Sequence, residues 1–216
     1  LMSSESISGL VAPEAEKYIM ENKPYKMDID EKILISDVRE KLSDYRFRHS
    51  MCVADSAKAL ASRFGGDEKK AYVAGIVHDV MKELKKEDAL ALFERAGVSL
   101  TPLEKQSEKL WHAMTGEIYL REKYSLPEDI LSAVRYHTTG REDMTLLEKI
   151  LFVADFISDD RDYNGVEDMR LRAEKSLELA MEEGLRFTIE ELSRSDRPIH
   201  PDTVSAYNQI LLGKEE

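Results

Sequence analysis

From Asp30 onward apolar residues recur at intervals of three and four, and sustained alternation is almost absent, so the pattern predicts helices rather than a sheet. The spacing predicts helices over Asp30–Leu42, Tyr45–Phe64, Asp67–Leu84, Lys86–Ala96, Lys109–Lys123, Pro127–His137 and Leu146–Ile157. A charged helix over Val166–Glu183, a shorter one over Thr188–Arg194 and a last one after Pro201 follow. Gly65-Gly66 breaks the second from the third, and Gly97 closes the fourth. Thr101-Pro102-Leu103-Glu104 has a hydroxyl, a proline at the first helical position and a glutamate three along, which is a capping box at a turn; Thr145 to Glu148 repeats it. The expected fold class is all-α. A short helical pattern over Ala12–Asn22 stops at Lys23-Pro24-Tyr25, which divides the chain into an extension, residues 1–28, and a body, residues 29–216.

Composition narrows the class of partner. Of 216 residues 42% are hydrophobic and 34% charged, enough for a packed interior and too polar for a membrane bundle. Thirty-one Lys and Arg against 43 Asp and Glu give a net charge of −12, which repels nucleic acid and anionic lipid and leaves room only for a local cationic pocket. The longest apolar runs, such as Ile150 to Ala154, fall far short of the roughly 20 residues that span a bilayer. The Ser- and Glu-rich start lacks a basic, apolar leader, and the lone Cys52 cannot form an internal disulfide; both fit a reducing cytoplasm. The expectation is a cytoplasmic protein with a small-molecule partner, without nucleic acid or membrane, and with homodimer formation open.

Candidate chemistry lies in the histidines. His78-Asp79 stands in the apolar stretch Ala74 to Met81, and Asp155 interrupts Phe152-Val153-Ala154-Asp155-Phe156-Ile157. Burying an imidazole or a carboxylate there costs desolvation unless hydrogen bonds or a cation compensate. A divalent cation would compensate both groups, and Fe, Mn, Co and Zn all accept this ligand mixture. His49, His112 and His137 lie on other helices, so the order along the chain is His, His-Asp, His, His, Asp.

That order resembles the HD superfamily of metal-dependent phosphohydrolases, and the two histidines between the His-Asp pair and the last aspartate resemble its two-metal branch. Arg48-His49-Ser50, His78-Asp79-Val80-Met81-Lys82, Tyr136-His137-Thr138-Thr139-Gly140-Arg141, Met144 to Leu147, Phe152-Val153-Ala154-Asp155, Arg161 and Ile199-His200-Pro201-Asp202-Thr203 together resemble the YqeK family over roughly residues 29–212. The resemblance implies an HD helical bundle around a buried dinuclear centre. It implies a bis(5'-nucleosyl)-tetraphosphatase that splits diadenosine tetraphosphate symmetrically into two ADP, with iron as the metal and Mn, Co or Zn as substitutes.

Carried over by position, His49, His78, Asp79 and Asp155 would hold one ion, and Asp79, His112 and His137 the second, with Asp79 bridging through its two oxygens. The nucleophile implied is a hydroxide bridging the two ions. Lys82, four residues after His78, is expected beside the reacting phosphate as a catalytic and substrate-binding cation. Arg48, Thr138, Thr139, Gly140, Arg141 and Arg161 are expected to bind substrate. Asp159 and Asp160 read as solvated, with one of them available to orient Arg161.

Several features read as structural: His200 at a helix start, Cys52 in the core, Trp111 as packing and Glu167 to Glu183 as a solvated face. Gly9 to Glu14, Tyr18-Ile19 and Tyr25 resemble the last helix of nicotinate-nucleotide adenylyltransferases, enzymes that are found fused ahead of such a domain. The alternatives are an HD phosphohydrolase acting on a nucleoside monophosphate, cyclic dinucleotide or guanosine polyphosphate, and a non-catalytic nucleotide sensor.

Overall fold

Side-chain caps set where the helices begin. The computed structural model describes residues 30–124 and 126–213, so the short helix expected over Ala12–Asn22 and the extension 1–28 lie outside the described residues. Asp30 accepts a hydrogen bond from the Lys32 amide to open α1 (Glu31–Lys41). After α2 (Asp44–Phe64), Gly65 adopts φ 75°, a conformation glycine takes without strain. Asp67 then accepts from the Lys69 and Lys70 amides, both at 3.0 Å, and opens α3 (Glu68–Val77).

Next come α4 (Lys86–Arg95), the five-residue α5 (Pro102–Gln106), a 3-10 turn (Glu108–Leu110) and α6 (Trp111–Lys123). The chain finishes with α7 (Glu128–Tyr136), α8 (Leu146–Ile157), α9 (Val166–Ala173), α10 (Leu177–Arg194) and α11 (Pro201–Leu212). Both capping boxes form at α5 and α8. The described residues contain helices and no strand, as the periodicity predicts.

Two boundaries differ from the expectation. The helix predicted over Asp67–Leu84 ends at Val77, and residues 78–83 continue as turns in which the Val80, Lys82 and Leu84 amides donate to the carbonyls three residues back. Neighbours on an α-helix point about 100° apart. Leaving the helix frees His78 and Asp79 to face a common centre. The helix predicted over Val166–Glu183 is instead two, because Ser176 accepts from the Glu178 and Leu179 amides and starts α10, which runs on through the shorter helix expected at Thr188–Arg194.

The main core joins Leu34 and Val38 of α1, Val53 and Ala57 of α2, Val73 and Ile76 of α3, Ile130 and Val134 of α7, and Leu151 and Phe152 of α8. Each large side chain buried there contributes roughly 1.5–3 kcal/mol. α2 and α3 approach closely: a Cβ on Gly75 would stand 2.4 Å from the Ala54 Cα, so only glycine fits. A smaller cluster of Leu92, Phe93, Trp111, Met114 and Ile118 seats α4 on α6. No helix among the described residues is long and apolar enough to cross a membrane.

Candidate metal centre

Five helix regions deliver six ligand-type side chains to one point. His49 comes from α2, His78 from the C-cap of α3 with Asp79 next to it, His112 from the first turn of α6, His137 from the C-cap of α7 and Asp155 from the last turn of α8. All four imidazoles are buried, as is Asp79.

The backbone fixes the imidazole orientation. Nδ1 of His78, His112 and His137 donates to the carbonyls of Gly75, Lys109 and Val134 at 2.8, 2.7 and 2.7 Å, each three residues back. Nδ1 of His49 donates to the Asp160 carboxylate at 2.8 Å. A carbonyl or carboxylate only accepts, so these bonds place the proton on Nδ1 and leave the Nε2 lone pair free.

The free lone pairs converge on other acceptors. His112 Nε2 lies 3.1 Å from His137 Nε2 and 3.1 Å from Asp79 Oδ1, and His49 Nε2 lies 3.0 Å from Asp155 Oδ1. His78 Nε2 is buried and, among the described residues, has no hydrogen-bond partner; Asp79 Oδ2 stands 3.7 Å away and Asp155 Oδ1 3.9 Å. Acceptors facing acceptors in a dry interior repel unless positive charge sits among them. The donors therefore fit divalent cations. Three overlapping sets lie close enough to share an ion: His49 with His78 and Asp79, His78 with His137 and Asp155, and Asp79 with His112 and His137. The two Asp79 oxygens divide between them, Oδ1 toward His112 and His137 and Oδ2 toward His78.

Two protein cations already press on these acceptors. Lys82 Nζ donates to His112 Nε2 at 2.9 Å and to Asp79 Oδ1 at 3.2 Å. Arg161 Nη2 hydrogen-bonds the Asp155 carboxylate and stands 3.3 Å from His49 Nε2. Arg170 steadies the loop carrying Arg161 by donating to the Ile157, Ser158 and Arg161 carbonyls. A cavity of about 670 Å³, lined by Arg46, Lys82, Lys86, Lys109 and Arg161, opens from the centre. A second, of about 330 Å³, shares Arg161 and is walled by His137, Thr138, Phe156, Tyr163 and Phe187.

Comparison with known proteins gives the family. The HD domain family model matches residues 46–160, just over half the chain. The chain belongs to the HD domain family. It is 40% identical over 177 residues to the symmetrical bis(5'-nucleosyl)-tetraphosphatase of Bacillus subtilis, covering 82% of this chain and 95% of that one, and so belongs with those HD proteins. A Mycoplasma pneumoniae protein named "Probable nicotinate-nucleotide adenylyltransferase/Ap4A hydrolase" is 34% identical over 115 residues, 53% of this chain and 32% of that one. The crystal structure of a predicted HD superfamily hydrolase involved in NAD metabolism from Clostridium acetobutylicum superposes with a TM-score of 0.82 at 31% identity. It spans 85% of this chain and 97% of that one.

The HD centre gathers His49, His78, Asp79, His112, His137, Asp155, Lys82 and Arg161, and Thr138 lines the smaller cavity beside it. Other expected contacts lie elsewhere. Arg48 is exposed, while Arg46, three residues before His49 and so on its face, lines the larger cavity with Nη1 3.7 Å from Asp79 Oδ2. Arg141 pairs with Glu148 at 2.9 Å. The Thr139 hydroxyl donates to the Gly140 carbonyl, and Gly140 turns at φ 63° against Ala206 and Leu185. Asp160 is buried against His49 rather than solvated. His200 caps α11, accepting from the Asp202 amide, and Trp111 is held by its Nε1 bond to the Glu104 carbonyl at 2.7 Å.

Electrostatics of the HD centre favour neutral rings at His78 and His112 and ionised carboxylates at Asp79 and Asp155. Burial pushes the pKa of His78 and of His112 down to about 4. Burial opposes the charge of His49 too, but the hydrogen bond and charge of Asp155 outweigh it and raise its pKa. Burial opposes ionisation of Asp79, yet the adjoining His78, His112 and His137 imidazoles hold its pKa well below the usual carboxylate range. Asp155 is held low likewise, by the His49 imidazole and the Arg161 charge. At His78, His112, Asp79 and Asp155 this is the protonation pattern that metal ligation requires, whereas the proton that Asp155 draws to His49 is one a bound cation would displace.

Proposed function

We propose that this chain hydrolyses diadenosine tetraphosphate symmetrically to two ADP at a dinuclear centre, with His49, His78, Asp79 and Asp155 holding one ion and Asp79, His112 and His137 the other. One observation carries the reading: six side chains, five of them buried, turn acceptors toward one point, in a chain 40% identical to a symmetrical tetraphosphatase along 95% of the latter's length. When bound, two divalent ions supply Lewis-acid charge and acidify the water that attacks phosphorus. Iron is the metal of this reading; the same imidazole and carboxylate donors accept Mn, Co and Zn.

The chain's own groups do the rest. Asp79 presents one oxygen to each half of the centre, which fits a bridge. Lys82 Nζ, beside Asp79 and His112, is positioned to neutralise charge on the phosphate under attack. Arg161 and Arg46, lining the larger cavity, are suited to hold the flanking phosphates. Substrate contacts are thus assigned to Lys82, Arg161, Arg46 and Thr138, and not to Arg48, Thr139, Gly140 or Arg141. The same reading carries a cytoplasmic location, a homodimer open to test by light scattering, and a domain boundary at 28/29 with an adenylyltransferase-like segment ahead of it. The fused name of the Mycoplasma relative fits an adenylyltransferase-like segment ahead of such a domain.

Incubating the purified chain, loaded anaerobically with iron or manganese, with a panel of nucleotides tests the function. ADP as sole product from diadenosine tetraphosphate is expected; ATP plus AMP, or turnover confined to another nucleotide, would overturn the reading.

A further inference from the structure

The two cavities that meet at the centre differ in chemistry. The larger is lined by five cationic side chains against three glutamates, Glu83, Glu108 and Glu191, of which Glu108 pairs with Lys86, and its aromatic residue, Trp111, is 5% exposed with its edge committed to Glu104 and Phe93 stacked edge-on at 5.7 Å. Such a wall attracts phosphate and offers a purine no free ring face. The smaller cavity carries Phe156, Tyr163 and Phe187, whose rings sit 5.5 to 6.4 Å apart in a cluster around Phe187. Phe187 is 43% exposed, unusual for a phenylalanine in such a cluster. Thr138, on the same wall, holds a buried hydroxyl with no hydrogen-bond partner among the described residues. An exposed ring face beside an unsatisfied hydroxyl suits a nucleobase with its ribose, and about 330 Å³ is the size of a small-ligand site.

We propose that the two halves of the substrate are held by different means: one nucleobase stacks in the cleft of Phe156, Tyr163 and Phe187, while the other half is gripped through its phosphates along the arm of Arg46, Lys86 and Lys109. Arg161, which lines both cavities, lies at the junction. The inference rests on the tetraphosphatase reading and adds that one base, not two, is recognised.

A consequence follows for substrates with a single nucleoside. Adenosine 5'-tetraphosphate fills the cleft with its base and the basic arm with its terminal phosphates. Water oxygen bonds to one of the two central phosphorus atoms, the P–O bond between the second and third phosphates breaks, and the leaving oxygen takes a proton. The products are ADP and pyrophosphate.

The experiment compares the metal-loaded chain, wild type and Phe187→Ala, on diadenosine tetraphosphate and adenosine tetraphosphate, with ADP binding measured by calorimetry. Adenosine tetraphosphate should be cut with kcat/KM within about tenfold of the dinucleotide, and one ADP should bind tightly per chain. Phe187→Ala should raise both KM values and weaken ADP on the order of tenfold, the loss of one base stack; Phe187→Tyr should restore them. Production of ADP from the dinucleotide with no cleavage of adenosine tetraphosphate overturns this inference and leaves the tetraphosphatase reading standing. Unchanged KM and ADP affinity in Phe187→Ala overturn the assignment of the cleft. Failure on both substrates sinks the tetraphosphatase reading itself.

Discussion

Two of the places where the molecule buries carboxylates treat them in opposite ways. Asp37 of α1 is 8% exposed and surrounded by donors: the Tyr119 hydroxyl reaches both its oxygens at 2.6 and 2.8 Å, and Lys123 Nζ donates to it at 2.6 Å and to Tyr119 at 2.7 Å. Both Asp37 oxygens and the Tyr119 hydroxyl are answered by the chain itself, and the outcome is a clamp between α1 and α6. At the His–Asp centre, Asp79 and Asp155 meet lone pairs as well as Lys82 and Arg161, and His78 Nε2 meets no partner among the described residues. A buried polar cluster whose demands are met internally is architecture. One left short of positive charge is built around something it binds.

The sharpest way to break that contrast is Asp79→Ala, which should lower turnover by at least about 10³-fold and strip metal from the protein while the helical circular dichroism survives. An unaltered rate would reject Asp79 as the bridge. Asp160→Ala should cost about 10- to 100-fold in metal affinity or activity, because His49 loses the partner of its Nδ1. Wild-type metal content and kinetics in that variant would show that the backbone alone suffices to orient the ring.

Asp37→Asn tests the other side, with an expected destabilisation of about 1–3 kcal/mol in denaturant melts and no change in metal content. Despite burial, the Lys123 and Tyr119 hydrogen bonds hold the Asp37 pKa below its ordinary value of 3.8. The unfolded chain therefore binds the proton first. The stabilisation is complete above the unfolded value and is lost as pH falls through the folded one, so the variant should flatten the acid limb of the stability curve below about pH 4. A matching loss of bound metal would erase the distinction between the two regions.

Features controlled by neighbouring residues were legible in the sequence. The capping boxes at Thr101 and Thr145 and the glycine stop at Gly65 act within a few residues, and the six ligand-type side chains stood out because His78, Asp79 and Asp155 lie in apolar runs that cannot otherwise tolerate them. Arg46 was legible too, since three residues before His49 is the same helix face, whereas the adjacent Arg48 points elsewhere. Asp160 was not: it meets His49 across 111 positions, and nothing local separates it from the exposed Asp159. The end of α3 at Val77 was hidden because Val80 and Met81 continue an apolar rhythm that both a helix and a run of tight turns satisfy.

Tethering three imidazoles to carbonyls only three residues away has a further result. Their aim is dictated by short-range chain geometry that exists as soon as the surrounding helices pack, so the receptor for cations is finished before any cation arrives. Removal by a chelator and reloading with a different element should then proceed without refolding, and what the protein carries in a cell is decided by supply as much as by the cage.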